Sequence, residues 1–84
     1  MAGRHRRHGD GQPIRPIDTK RWHGLERSAP DGLGLTVPEL AAFLAAAQAE
    51  AARAGASLDT TEPVVMINGN GGVRHIWVQI RPRR

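Results

Sequence analysis

The sequence predicts an α+β fold in which one alanine-rich helix packs on a C-terminal antiparallel β-hairpin, with residues 15–23 as a candidate third strand. Three observations carry this prediction. A capped, amphipathic helix signal opens at Thr36, and two runs rich in β-branched residues follow at 64–67 and 73–80. The five residues between those runs, Asn68-Gly69-Asn70-Gly71-Gly72, are all turn formers.

At 84 residues, 39% hydrophobic and 24% charged, the chain has room for one small domain, expected at residues 14–81. Residues 1–13 are rich in Arg, His and Gly, bury too little apolar surface to offset ordering entropy, and are expected to form a disordered basic arm. Residues 82–84 form a short basic tail. A domain of roughly 60 residues buries only about 60% of its unfolded surface, so without cysteines or a metal it gains from association.

Ile14-Arg15-Pro16-Ile17 reads as extended, because a residue before proline avoids the helical region, and the strand is expected to continue to His23 at a sheet edge. Its alternation is poor: Ile17, Thr19 and Arg21 would oppose Asp18, Lys20 and Trp22. Ala29-Pro30-Asp31-Gly32 carries proline and glycine at the positions a type I turn favours, so the chain is expected to reverse there.

Thr36-Val37-Pro38-Glu39 is a capping-box signature. The Thr36 hydroxyl can accept from the Glu39 N–H while the Glu39 carboxylate accepts from the Thr36 N–H, and Pro38 falls in the first turn, where a missing donor costs nothing. Leu40, Phe43, Leu44, Ala47 and Ala51 then draw one apolar stripe along a helix expected at Val37–Ala54, closed by Gly55 in the left-handed conformation. Half of its eighteen positions are alanine, so propensity is high and the surface is smooth enough for close packing.

After a polar linker at 56–63, Val64-Val65-Met66-Ile67 and residues 73–80 read as paired strands. A two-residue type I′ turn at Asn70-Gly71 would pair Gly69 with Gly72, Ile67 with Arg74, Val65 with Ile76 and Val64 with Trp77, with Asn68-Gly69 as a competing turn. Ile76, Val78 and Ile80 share the face expected to meet the helix. Val64, Met66, His75 and Trp77 lie on the back, covered by residues 14–25 or open as a contact patch.

The net charge of +4 is unevenly laid out. Residues 1–27 and 64–84 each carry a net +4, whereas residues 28–63 carry −4. Arginine clusters at both ends are one signature of phosphate binding, although short basic ends also serve solubility alone.

Several chemistries find no support. Without cysteine there is neither a disulfide framework nor a thiolate metal site, and the Arg4, Arg6 and Arg7 charges disfavour a cation at His5 and His8. No metal or cofactor is expected. Ser28 and Ser57 lack a nucleophile-elbow setting, and the carboxylates flank turns and the helix start, so no catalytic residue is expected. The glycine run at 68–72 leads into a strand, unlike a phosphate-binding loop, which leads into a helix. With no apolar run after the N-terminal arginines and none long enough to span a bilayer, a cytoplasmic protein is expected.

Thr36-Val37-Pro38-Glu39-Leu40 with Leu44 one turn on, the linker ending in Glu62-Pro63-Val64-Val65, and the glycine-rich hairpin together resemble short uncharacterised proteins of GC-rich bacteria and their phages or mobile elements. The resemblance spans residues 35–80 and implies an accessory role. The function expected is thus a non-catalytic protein-interaction module, with a homodimer as its candidate assembly and Val64, Met66, His75 and Trp77 as partner-binding residues. The alternative is a nucleic-acid-associated protein in which Arg4, Arg6, Arg7, Arg81, Arg83 and Arg84 hold phosphate while Trp22 or Trp77 stacks on a base.

Overall fold

A computed structural model describes residues 13–30 and 33–82. Along them run β1 (Arg15–Asp18), β2 (Trp22–Ser28), α1 (Val37–Ala54), β3 (Val64–Ile67) and β4 (Val73–Pro82). The strands form one antiparallel sheet in the order β1-β2-β4-β3, and α1 lies over β4 and β2 on one face. The expected α+β class is therefore present, but the sheet has four strands, not two or three.

The extra strand comes from the N-terminal segment. Residues 15–23 do not continue as one strand; they turn at Thr19, and β1 pairs back on β2 with Asp18 opposite His23 and Arg15 opposite Glu26. The turn contains no glycine, proline or asparagine. The Thr19 hydroxyl does their work, accepting from the N–H groups of Arg21 (3.1 Å) and Trp22 (2.9 Å) and donating to the Trp22 carbonyl at 2.8 Å. β2 then continues to Ser28 and pairs along its length with β4, which makes β2 and β4 the inner strands and β1 and β3 the edges. Beyond it, the Leu33 N–H donates to the Pro30 carbonyl at 3.0 Å, and Asp31 and Gly32 of the expected turn lie outside the described residues.

α1 spans the residues that its caps predict. Both arms of the capping box are made, with Glu39 N–H on Thr36 Oγ1 at 3.2 Å and Thr36 N–H on Glu39 Oε1 at 2.7 Å. At the other end Gly55 adopts φ 70°, its N–H donates to the Ala52 carbonyl, and the Ala56 N–H donates to that of Ala51. The buried face differs from the expected stripe: Phe43, Ala47 and Ala51 are buried and Leu40 is half-buried, but Leu44 is 50% exposed and Glu39 is buried instead. The reason is the sheet. Arg27 of β2 reaches the helix start, where its Nη1 donates to the Glu39 carbonyl (3.2 Å) and its Nη2 lies 3.9 Å from Glu39 Oε2, so the helix turns Glu39 inward and Leu44 outward.

The core forms where the alternation of β4 meets that face. Ile76, Val78 and Ile80 pack with Leu35, Phe43, Ala47 and Ala51, and Phe43 is wholly excluded from solvent. Burial of such an aromatic contributes about 2–3 kcal/mol.

The C-terminal hairpin keeps the expected pairs Val64 with Trp77 and Val65 with Ile76, but Ile67 pairs with Val73, not Arg74, across a bulge after Met66. The turn also differs from the type I′ expectation. Asn70 does not take positive φ; only Gly71 does, at 85°, and Asn68 accepts from the Gly71 N–H and donates to the Gly72 carbonyl. This is a three-residue loop closed by a left-handed glycine. Gly72 thus pairs with Asn68, not with Gly69. The Asn68 side chain selects it, since its Oδ1 accepts from Asn70 and Gly72 while its Nδ2 donates to the Leu33 carbonyl, tying the segment before α1 to the hairpin tip.

Candidate interaction surface

Strand register divides the side chains between two faces. His23, Leu25 and Arg27 of β2 point with Ile76 and Val78 toward α1, and Trp22, Glu26 and Ser28 point with His75 and Trp77 to the other side. No helix lies on that second face among the described residues. At its centre the indoles of Trp22 and Trp77 stack with ring centroids 5.5 Å apart and planes inclined by 13°. Beside them Glu26 bridges three strands, with Oε2 3.4 Å from Arg15 Nη2 and Oε1 3.0 Å from His75 Nε2.

The four expected partner-binding residues therefore share a face but differ in availability. His75 and Trp77 are half-buried and engaged by Glu26 and Trp22 of β2, whereas Val64 and Met66 are 41% and 42% exposed. Trp22 thus covers part of the back of the hairpin and leaves its β3 end open. Of the alternative phosphate-binding set, Arg81 lies in β4 opposite His23, and Arg4, Arg6, Arg7, Arg83 and Arg84 lie outside the described residues.

The most exposed apolar strand is β3. All four of its side chains are open, Val65 at 42% and Ile67 at 56% besides Val64 and Met66, because β3 pairs only with β4 and α1 does not reach it. Its exposure covers both faces of the strand, and its outer edge carries backbone donors and acceptors with no neighbouring strand among the described residues. Natural edge strands are usually blunted by charge or proline; here the nearest such residues are Glu62 and Pro63, just before the strand. Near it, Leu44 borders a small cavity of about 130 Å³ with Leu58, Pro63 and Val78.

A larger cleft of about 500 Å³ opens between the β1–β2 hairpin and the second half of α1, lined by Pro16, Ile17, Asp18, His23, Leu25 and Glu50. His23 Nε2 stands 4.0 Å from Glu50 Oε2, and Glu50 also bonds Arg53 one turn along the helix. The cleft presents the carboxylates of Asp18 and Glu50 and the imidazole of His23, and no hydroxyl. Among the described residues no three His, Asp or Glu side chains converge on a point that would hold a metal ion, and no helix is long and apolar enough to cross a membrane.

Sequence reasoning missed the inward-facing role of Arg27, whose available sign was Glu39 in helical register with Phe43, Ala47 and Ala51. The expected alternative that residues 14–25 cover the back of the hairpin is met in part by Trp22, which stacks on Trp77. Comparison of the chain with protein-family models, with curated proteins and with solved structures finds no match, and so adds nothing to the resemblance drawn from the sequence.

Proposed function

We propose that the chain is a small non-catalytic protein-interaction module, in keeping with the accessory role that its resemblance implies, and that it makes contact through the β3 end of the hairpin. The observation that carries this reading is the run of four exposed apolar residues on a sheet edge that has no charge or proline within the strand. A strand added there would satisfy the free backbone groups while its side chains shelter Val64 and Met66 on one face and Val65 and Ile67 on the other. A photo-crosslinking residue in place of Met66 is expected to give protein adducts in cells, whereas the same residue in place of the exposed Ala45 on α1 gives none. Equal labelling at the two positions, or none at either, removes the reading.

A second reading has its own observation: an aromatic pair on an open antiparallel face near the exposed cations Arg15, Lys20 and Arg21 offers stacking and charge to a single strand of nucleic acid. Against it stand the use of one ring face of each indole by the other and the Glu26 carboxylate in their midst. If it holds, the full chain binds labelled mixed-sequence single-stranded DNA with an affinity that falls by about 0.7 log units per log unit of salt for each phosphate neutralised. A flat salt response ends it.

A further inference from the structure

Resting on the interaction-module reading, we propose that the occupant of the β3 edge is a second copy of this chain, added antiparallel about a two-fold axis at Val65 so that two four-stranded sheets become one of eight. The argument starts from alternation. In an antiparallel pair, residues directly opposite each other share a face, so a strand meeting its own copy must pair residues of the same parity. Centring on Val65 sets Val64 opposite the partner's Met66 on the outer face, and it sets Val65 opposite its own symmetry mate on the helix side. Every contact so formed joins two side chains that are at least 41% exposed in the single chain.

Charge chooses this partner and its antiparallel direction. The register follows, because centring on Val64 would leave only Val64 paired within β3 whereas centring on Met66 would carry Glu62 away from Arg74. The edge is flanked by one acid, Glu62, two residues before the strand, and by one base, Arg74, whose guanidinium reaches across the hairpin to 4.0 Å from Met66 Sδ. Both residues are exposed. With Met66 opposite the partner's Val64, Glu62 of the partner subunit becomes the diagonal neighbour of Met66, at a separation that long side chains bridge. Each Arg74 guanidinium, already lying over Met66, then faces an acid of the other copy, and the two-fold makes the contact twice. A strand with an acid before it and a base beside its far end is complementary to itself only when antiparallel, which is the self-matching that an isologous dimer requires. The acidic linker before β3 and the wholly basic segment after it, net +4 over residues 64–84, follow the same polarity.

Sedimentation of the full chain over a concentration series tests this. The wild type is expected to be a dimer. Glu62→Arg or Arg74→Glu alone weakens it by about tenfold, since two exposed ion pairs become repulsive, and the double exchange restores it. Val65→Lys sets two like charges directly opposite each other and yields monomer. Circular dichroism unchanged in all four variants separates these losses from unfolding. A monomeric wild type that still gives adducts at position 66 refutes the second copy while leaving an interaction with another protein. A dimer indifferent to both charge reversals and to Val65→Lys refutes the β3 edge as its interface.

Discussion

Replacing Gly24 by alanine is expected to destabilise the fold by about 3 kcal/mol, the upper end of what overpacking usually costs, and to lower the melting temperature by roughly 12–24 °C for a domain of this size. Gly24 sits in β2 where the register against β4 shifts by one residue, between His23 opposite Arg81 and Gly24 opposite Gln79. At this bulge the two backbones come so close that a Cβ on residue 24 would overlap the Val78 carbonyl oxygen and stand 3.0 Å from its carbon and 3.2 Å from the Gln79 Cα. These are backbone atoms of a central strand, so no rotamer change relieves the clash; β2 must draw away from β4. The bulge, with Ile80 as the extra residue of β4, also shifts Trp22 by one residue against β4, and its ring stacks on that of Trp77. Loss of the exciton-coupled dichroism of the two indoles should accompany the lower melting temperature. Gly69→Ala is the control: nothing lies within 4 Å of a Cβ there and its φ is not positive, so its melting should stay within about 0.5 kcal/mol of wild type. Equal melting of the two variants would refute the close approach of β2 and β4.

Glu39→Ala should be at least as damaging, because this one carboxylate serves two structures. It closes the capping box on Thr36, and it faces the Arg27 guanidinium in a site where the two side chains are 6% and 13% exposed. Loss of a cap costs about 0.5–2 kcal/mol; removing one member of a buried ion pair costs about 3–5 kcal/mol because the other charge stays in a poorly solvated place. A domain of this size has little more than that in reserve, so the variant is expected to be largely unfolded near room temperature. Glu39→Gln separates the two roles. Glutamine still accepts from the Thr36 N–H but brings no charge to Arg27, so this variant should fold and melt between wild type and Glu39→Ala. Combined with Arg27→Met it should recover part of the loss, since no cation is then left facing a neutral partner. A Gln variant as stable as wild type would mean that the charge on Glu39 contributes nothing and that the cap alone matters.

Both residues mark where reading the chain residue by residue stops. Gly24 sits inside a stretch that alternates too poorly to announce a strand, because its inward positions include His23 and Arg27. Those side chains suit an inner face only once α1 brings Glu50 to the first and Glu39 to the second. The β1–β2 turn is silent for a similar reason, since Thr19-Lys20-Arg21 holds no residue that demands a turn and the threonine hydroxyl makes one only when the strands are already paired.

What could be read along the chain was whatever short-range chemistry controls. The capping box, the left-handed Gly55 and the alanine run bound α1 through contacts within a few residues, and period-two alternation assigned Ile76, Val78 and Ile80 to the core. The candidate partner face was legible in the same way, as the alternate residues Val64, Met66, His75 and Trp77. Which of them stays open was not. That depends on β2 entering the sheet beside β4, where Trp22 and Glu26 occupy Trp77 and His75, and on α1 lying over β2 and β4, beyond the reach of β3. Local hydrogen bonds and side-chain period determine elements one at a time, whereas the exposure of an edge depends on which distant strands fill the other side of its neighbour, and only the assembled sheet decides that.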